Sequence, residues 1–301
     1  VNPGTGDAGR QPVRMALAEA TGVLAAAGVD SPRADAEWLL VHVLGTDRGR
    51  LLVADDLDHE ARARFAGLIA LRAQRIPMQH LVGTAAFGPV VLHVGPGVFV
   101  PRPETELLYA WAHQLAEREL AGAAAQFTVV DLCSGSGALA IALAATLPGA
   151  RVHAVEKSPE ATTWLQRNVD GLAADVAARV VVHTGDVTDA GAVAAMVGAP
   201  ADLVVSNPPY VPSTTPVPAE VHADPAMAVF GGEDGMDVIT PMAATIAAIL
   251  RPGGCVGIEH DDTTGDAVTG LLRGTGDFDE VTSHTDLTGR PRFVTARRRG
   301  R

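Results

Sequence analysis

The stretch "SNPPY", residues 206–210, follows directly on the apolar run "ADLVV". Such a run reads as a buried strand, and two prolines cannot extend a sheet ladder because neither carries a backbone N–H. The chain therefore leaves the sheet at a side-chain amide, Asn207, and a phenol, Tyr210, with the donors between them removed. That pattern suits gripping a planar NH2 group. The lone pair of an amide or exocyclic amine is delocalised, so reaction at that nitrogen requires its N–H bonds to be held and its lone pair aimed. The side-chain oxygen of Asn207 and the carbonyl of Pro208 are the two acceptors expected to do this. Pro208 and Pro209 stiffen the loop, and the Tyr210 ring is suited to lie against a flat substrate group.

A second cluster lies upstream in "VVDLCSGSGALAIAL". It reads as strand, glycine-rich turn and helix, the place where a doubly wound sheet binds its ligand. Gly135 and Gly137 allow a tight turn and close backbone approach, and the helix N-terminus presents free N–H groups. Asp131 closes the first strand. Glu156 closes the second, at a position suited to accept from ribose hydroxyls. Asp186, after the third strand, is placed to accept from an adenine amino group. Three acids at three consecutive strand ends point to one ligand. The turn is G-x-G without the third glycine of the dinucleotide pattern. An acidic cleft also suits the sulfonium and ammonium of S-adenosylmethionine better than a pyrophosphate, so that cofactor is expected rather than NAD.

The elements that must position these residues follow from the wider pattern. Over 301 residues, 47% are hydrophobic and 19% charged, a balance that fits a folded chain with a large core or two smaller ones. Residues 11 to about 80 have helical spacing, with Ser31 as a cap candidate, Pro32 at a first helical position and Gly45 at an end. "AFGPVVLHVGPGVFVPRPETE" reads as a β-hairpin with its turn near "VGPG", and a helix is expected to open at Glu104 or Thr105. From residue 127 strands and helices alternate, which implies a parallel sheet covered on both faces. "FDEVTSH" and "PRFVTARR" close the chain as an antiparallel hairpin, as in the seven-stranded methyltransferase sheet. The expected fold is α/β: a helical bundle over 1–84, a hairpin linker over 85–100 and a seven-stranded Rossmann-like domain over 101–301.

The net charge is −12, which argues against a large nucleic-acid footprint. Residues 1–100 are nearly balanced, with nine Arg against ten Asp and Glu, so the acidity lies beyond them. Cys133 and Cys255 are far apart and have no metal spacing, which fits a reducing compartment and no zinc site. His42, His93, His183 and His260 likewise show no metal spacing, and no metal is expected. Trp38, Trp111 and Trp164 sit in helical patterns and are expected in the core. No signal peptide or bilayer-spanning run is evident, so a cytoplasmic protein without membrane association is expected; a monomer is expected as well.

Here a resemblance becomes specific. "SNPPY" with "DLCSGSG" is similar to the amino-methyltransferases, which act on adenine N6, guanine N2 or glutamine N5. "FVPRPETELL", "DPAMAVFGGEDGMDVI", "GIEH" and "DLTGRPRFV" further resemble the PrmC/HemK family of peptide chain release factor N5-glutamine methyltransferases, over residues 11 to 297. The resemblance implies S-adenosylmethionine as cofactor and the glutamine of the Gly-Gly-Gln loop of class-1 release factors as substrate. It implies that Cys133, Ser134, Gly135, Ser136 and Gly137 hold the methionine part, with Asp131 beneath, and that Glu156 takes the ribose. Asp186 and Val187 would line the adenine, while Asn207, Pro208, Pro209 and Tyr210 would hold the glutamine, Asn207 facing cofactor and substrate alike. Phe99, Arg102 and Glu104 would help close the cofactor pocket. One departure is visible: Cys133-Ser134 stands where the family usually has Gly-Thr. A nucleic-acid amino-methyltransferase with the same loop is the alternative, but a nucleic-acid reader calls for a basic stripe and the N-terminal region is charge-neutral. A catalytically silent binding module is opposed by the intact Asn207 and glycine turn.

Overall fold

Helix formation in the first eighty residues follows its punctuation. The computed structural model describes residues 10–51, 53–120, 127–286 and 288–300. These form two units, one comprising the chain up to Gly83 with Pro218–Ala223, the other Thr84–Val217 with the remainder from Asp224. In the first unit, β1 (Gln11–Pro12) leads into α1 (Val13–Ala26), which ends just before Gly28. α2 (Pro32–Leu44) opens with proline in its first turn and ends at Gly45 in the left-handed conformation, φ 59°. Ser31 occupies the cap position, yet its side chain makes no capping bond, contrary to expectation. α3 (Arg48–Leu51) and β2 (Asp56–Leu57), which pairs with β1, lead to α4 (His59–Ala73) and α5 (Met78–Val82). Asp58 caps α4 by accepting from the Ala61 N–H at 2.8 Å.

Leu17, Leu24, Leu39, Leu40, Phe65 and Ile69 close this unit's core. Trp38 is not in it: the side chain is 52% exposed, with the Arg48 guanidinium over its ring at 5.8 Å. The expectation of a core tryptophan fails there because α2 turns that face to solvent. Arg72 is buried and pairs with Asp35 at 2.7 Å and with Glu220 at 2.9 Å. Arg75 grips the same Glu220 at 2.7 and 2.8 Å. The Arg75 hydrogen bond chiefly holds the Glu220 carboxyl down at about 2.

The second unit opens with a hairpin, β3 (Thr84–Phe87) and β4 (Val90–His93). Its turn is Gly88-Pro89, with Gly88 at φ 49°, and not the "VGPG" expected from sequence. Two Gly-Pro pairs flank Val90–His93, and pairing of Phe87 with Val90 selects the first. α6 (Thr105–Leu120) follows where expected. Strands and helices then alternate: β5 (Phe127–Leu132), α7 (Ala138–Thr146), β6 (Ala150–Glu156), α8 (Pro159–Asp170), α9 (Ala174–Ala177), β7 (Val180–Thr184), α10 (Ala190–Val197) and β8 (Ala201–Ser206). Beyond them come a 3-10 turn (Ala219–Ala223, in the first unit), α11 (Ala226–Val229), α12 (Ile239–Ile249), β9 (Leu250–Glu259), α13 (Gly265–Gly274), β10 (Phe278–Thr285) and β11 (Pro291–Arg298).

The sheet order is β10-β11-β9-β8-β5-β6-β7. β9, β8, β5, β6 and β7 run parallel, and β11 and β10 close the sheet antiparallel, as the sequence predicts. β5 is buried at all six positions, because both faces of the sheet are covered. Val129 joins the core beneath α6, α7 and α8; Val130 joins the opposite core beneath α10, α12 and α13. Strand order reverses at β5, whose neighbours are β6 and β8. Connections therefore diverge there and leave a crevice at the carboxyl ends of β5 and β8. No described helix is long and apolar enough to cross a membrane.

Candidate active site

That crevice is a cavity of about 420 Å3 in the second unit. It is lined by Asp131, Cys133, Ser134, Gly135 and Ser136 after β5, Glu156 after β6, Asp186 and Val187 after β7, and Asn207 and Pro209 after β8. Phe99 and Thr105 line it from the segment before and at the start of α6, and Pro225, Met227 and Phe230 from the segment around α11. Residues spaced over more than 100 positions thus meet because four adjacent strands end on one side.

The glycine turn is shaped by sterics and by Glu156. Gly135, at φ 55°, has nothing within 4 Å of where a Cβ would stand, so the backbone is open for close approach. Gly137 is not a lining residue. Its φ is 90°, and a Cβ there would stand 2.5 Å from Leu165 and 2.9 Å from Ile141, so its glycine allows α7 to pack. Glu156 accepts from the Gly135 N–H and the Ser158 N–H, both at 2.8 Å. The carboxylate therefore braces the turn as well as facing the cavity. Cys133 is left-handed, φ 63°, a conformation that costs a residue with a side chain about 1–2 kcal/mol. Burial pushes its thiol well above the usual range, and the negative charges of Glu156 and Asp131 add to the effect. The side chain packs partly against the core while lining the cavity.

Asp131 is buried under the turn, and its Oδ2 accepts from the Ala140 N–H of α7 at 3.1 Å. Burial raises its carboxyl to about 7, against the lowering pull of Ser134 and the Ala140 N–H. Glu259, the last residue of β9, is likewise raised by burial to about 7, with Thr105 and Tyr210 opposing the shift. An acid held above its unfolded value near 4 is protonated in the folded chain between the two values. Each such group therefore lowers stability as pH rises from about 4 to about 7, by up to about 1.4 kcal/mol per pH unit. Denaturation at pH 4.5 and 7 checks this: Asp131→Asn gains on wild type as pH rises, whereas a flat or reversed difference contradicts it.

Asp186 is engaged on both oxygens. Oδ2 pairs with Lys157 at 2.7 Å, and Oδ1 accepts from the Thr188 N–H at 2.9 Å and hydroxyl at 2.7 Å. The Lys157 hydrogen bond is the main reason its carboxyl sits at about 2. Arg102 and Glu104 are not lining residues: Glu104 is exposed, and Arg102 is bonded to the buried Asp224 while its guanidinium stacks on Phe99 at 4.8 Å. Arg102 thus fixes the Phe99 wall from behind.

In the "NPPY" loop, Asn207 faces the cavity and its Nδ2 donates to the Thr105 hydroxyl at 3.0 Å. Pro208 is buried. Tyr210 turns inward, and its hydroxyl donates to Glu259 Oε1 at 2.9 Å. Burial, with the Glu259 charge beside it, raises the Tyr210 phenol well above its ordinary value. Thr105 and Glu259 lie within "FVPRPETELL" and "GIEH", yet nothing in those stretches names their partners; they meet Asn207 and Tyr210 only through the sheet. Among the described residues no group of three or more His, Cys, Asp or Glu could hold a metal.

Comparison with known proteins bears on this arrangement. A family model described as the PrmC N-terminal domain matches residues 15–83, and one described as conserved hypothetical protein 95 matches residues 106–227. The release factor glutamine methyltransferase of Mycolicibacterium smegmatis is 52% identical over 288 residues, 95% of this chain and 98% of that protein. That of Corynebacterium glutamicum is 50% identical over 283 residues, 94% of this chain and 98% of that protein. Among solved structures, the hMettl16 catalytic domain in complex with the MAT2A 3'UTR hairpin 6 shares the fold, with a TM-score of 0.51 at 14% identity, covering 76% of this chain and 81% of that one. Half of all positions are thus shared, end to end, with proteins of one description, and the resemblance carried by the motifs holds: the chain belongs to the release factor glutamine methyltransferase family.

Proposed function

We propose that this protein transfers the methyl group of S-adenosylmethionine to the side-chain amide nitrogen, N5, of the glutamine in the Gly-Gly-Gln motif of class-1 peptide chain release factors. The observation that carries this reading is the sharing of one cavity by the glycine turn after β5 and the Asn207 amide after β8, at the switch point of the sheet. The family relationship supplies the substrate class.

The lining suits the cofactor. Gly135 leaves open space where a side chain would intrude, Asp131, Glu156 and Asp186 supply acceptors, and Phe99, Val187 and Leu139 supply apolar walls. Cys133, Ser134, Gly135 and Ser136 would hold the methionine part, Glu156 the ribose hydroxyls, and Asp186 with Val187 the adenine. S-adenosylmethionine, when bound, would supply a methyl group activated by its sulfonium and leave as S-adenosylhomocysteine, while the amide nitrogen gives up one proton to solvent.

Everything else falls to the chain. The Asn207 Oδ1 and the Pro208 carbonyl accept the two N–H bonds of the substrate amide, which turns the nitrogen lone pair out of the plane they define. Orientation of this kind is the main contribution an enzyme makes to such a displacement. The prolines hold the acceptors in place and add no competing N–H. The N-terminal region, residues 1–84, serves as a docking element for the factor, the segment 85–100 as its linker, and residues 101–301 as the catalytic domain. The reaction belongs in the cytoplasm, with the enzyme as a monomer.

Glu156→Ala is expected to weaken cofactor binding about 10–100-fold, because the charge-assisted hydrogen bonds from Gly135 in the turn and from Ser158 after β6 are lost together with the ribose contact. Calorimetric titration with S-adenosylmethionine measures this, and an unchanged affinity removes Glu156 from the site. The function itself is tested by transfer of labelled methyl to a purified release factor, to the factor with Gln→Ala in its Gly-Gly-Gln loop, and to duplex DNA. Label on the intact factor alone is expected; label on DNA instead would establish a nucleic-acid amino-methyltransferase.

A further inference from the structure

The strand ends supply only part of the cavity. Two connecting segments outside the sheet complete its lining: Phe99 and Pro101 before α6, and Pro225, Met227 and Phe230 around α11. The first segment has a hold of its own. Val94, Val98 and Val100 are buried together with Ala161 of α8, and Trp164 Nε1 donates to the Pro96 carbonyl at 3.2 Å. α11 is only four residues long, and Met227 on it is 52% exposed. Its far end is tied down where the Val211 N–H donates to the Val229 carbonyl at 2.9 Å. Its near end follows directly on Asp224, whose side chain is fully buried. Asp224 Oδ1 accepts from the Val100 N–H at 3.1 Å, and Oδ2 accepts from the Arg102 guanidinium. That guanidinium in turn stacks on Phe99 at 4.8 Å.

We infer that Asp224 is a positioning residue for the cofactor: with Arg102 it latches the start of α11 to the Phe99 segment and keeps the cavity closed around bound S-adenosylmethionine. The inference rests on the cofactor assignment proposed above. A carboxylate wholly out of water is tolerated only while its charge is answered. The Val100 N–H and the Arg102 guanidinium answer it, and both belong to the segment that carries Phe99. Moving the start of α11 away would strip Asp224 of both partners at once, so the closed arrangement resists opening. The guanidinium serves twice, because its face covers Phe99 while its N–H groups reach Asp224. Neither Asp224 nor Arg102 lines the cavity. Loss of the latch therefore falls on how long the cofactor stays, and not on the transfer step once the cofactor is held.

Asp224→Asn keeps the shape and an acceptor for the Val100 N–H, but turns an NH2 group toward Arg102 in place of an acceptor. It strands no buried charge, so it carries the test even where Arg102→Gln, which leaves the carboxylate unanswered, fails to fold. Calorimetric titration with S-adenosylmethionine should show Kd raised about 10-fold or more for each variant. Chase-release of labelled S-adenosylhomocysteine should place most of that rise in the dissociation rate. The double variant should bind within about threefold of the weaker single one, since either change opens the same latch. Single-turnover methyl transfer to a release factor at saturating cofactor should stay within about threefold of wild type. Asp58→Ala removes the α4 cap in the other unit and controls for general destabilisation, so its cofactor Kd should match wild type. An Asp224→Asn Kd within about threefold of wild type would overturn the inference, as would an equal loss in Asp58→Ala. So would losses that multiply in the double variant, or a single-turnover rate that falls as far as Kd rises. In each case wild-type binding leaves the cofactor assignment standing. If wild type itself binds no S-adenosylmethionine, that assignment falls, and this inference with it.

Discussion

Asn207→Ala is expected to lower kcat for methyl transfer to a release factor about 10³-fold, the scale of removing a preorganised polar group at the reacting centre. Truncation removes the acceptor that holds one N–H of the substrate amide, so the delocalised lone pair is no longer turned toward the methyl donor. It also leaves the Thr105 hydroxyl without the Nδ2 that it receives at 3.0 Å. The glycine turn after β5, Glu156 and Asp186 are untouched by the change, so cofactor affinity should move only a few-fold. A matching loss in kcat and in kcat/KM is the signature of an interaction made at the transition state. A change confined to KM, or to cofactor Kd, would instead place Asn207 in ground-state binding.

Gly235→Ala should also be costly, though it adds one methyl group and touches no substrate. A Cβ at Gly235 would stand 2.2 Å from the Tyr210 carbonyl oxygen, and the residue has φ 78°. Its neighbours are equally crowded: a Cβ on Gly231 would stand 2.5 Å from the Pro209 carbonyl oxygen and 2.7 Å from that of Gly235. The chain here is also stitched to the loop, with Gly231 N–H donating to Val211 at 3.0 Å and Ser213 N–H donating to Gly232 at 2.8 Å. "FGGEDG" is thus the backing of the "NPPY" loop, and backbone meets backbone with no side chain to give way. A methyl group at Gly235 must displace the loop carbonyl. The expected outcome is a loss of about 100-fold in kcat, since misplacement of a reacting group by about 1 Å costs that much. Destabilisation of about 2–4 kcal/mol should accompany it. Gly276→Ala separates the two causes: Gly276 has φ 73° with nothing within 4 Å of its Cβ position, so it carries conformational strain alone, about 1–2 kcal/mol, and leaves kcat alone. If Gly235→Ala behaves like Gly276→Ala, the backing role is wrong.

What could be read from the sequence was what is local. The turn after β5 and the "NPPY" loop announce themselves because glycine and proline constrain the backbone within a few residues. The alternation of apolar runs gave the parallel sheet, and with it the meeting of Asp131, Glu156, Asp186 and Asn207 at one edge. What the sequence left dark depends on contact across the fold. Thr105 and Glu259 lie 102 and 52 positions from Asn207, and neither residue type signals a partner. The hairpin turn was misplaced because two Gly-Pro pairs competed and only strand register chooses between them. Trp38 read as core because helical spacing gives a face and not its neighbour, and that face is open to solvent.

In the proposed reaction the Asn207 loop presents a glutamine side-chain nitrogen for methylation. Tandem mass spectrometry of a class-1 release factor, incubated with the enzyme and S-adenosylmethionine and then digested, reads the modified atom directly. One added methyl group is expected on the side-chain amide of the Gly-Gly-Gln glutamine, present with wild-type enzyme and missing with Asn207→Ala. A methyl group on another residue of the factor, or an unmodified loop after full consumption of cofactor, would contradict it.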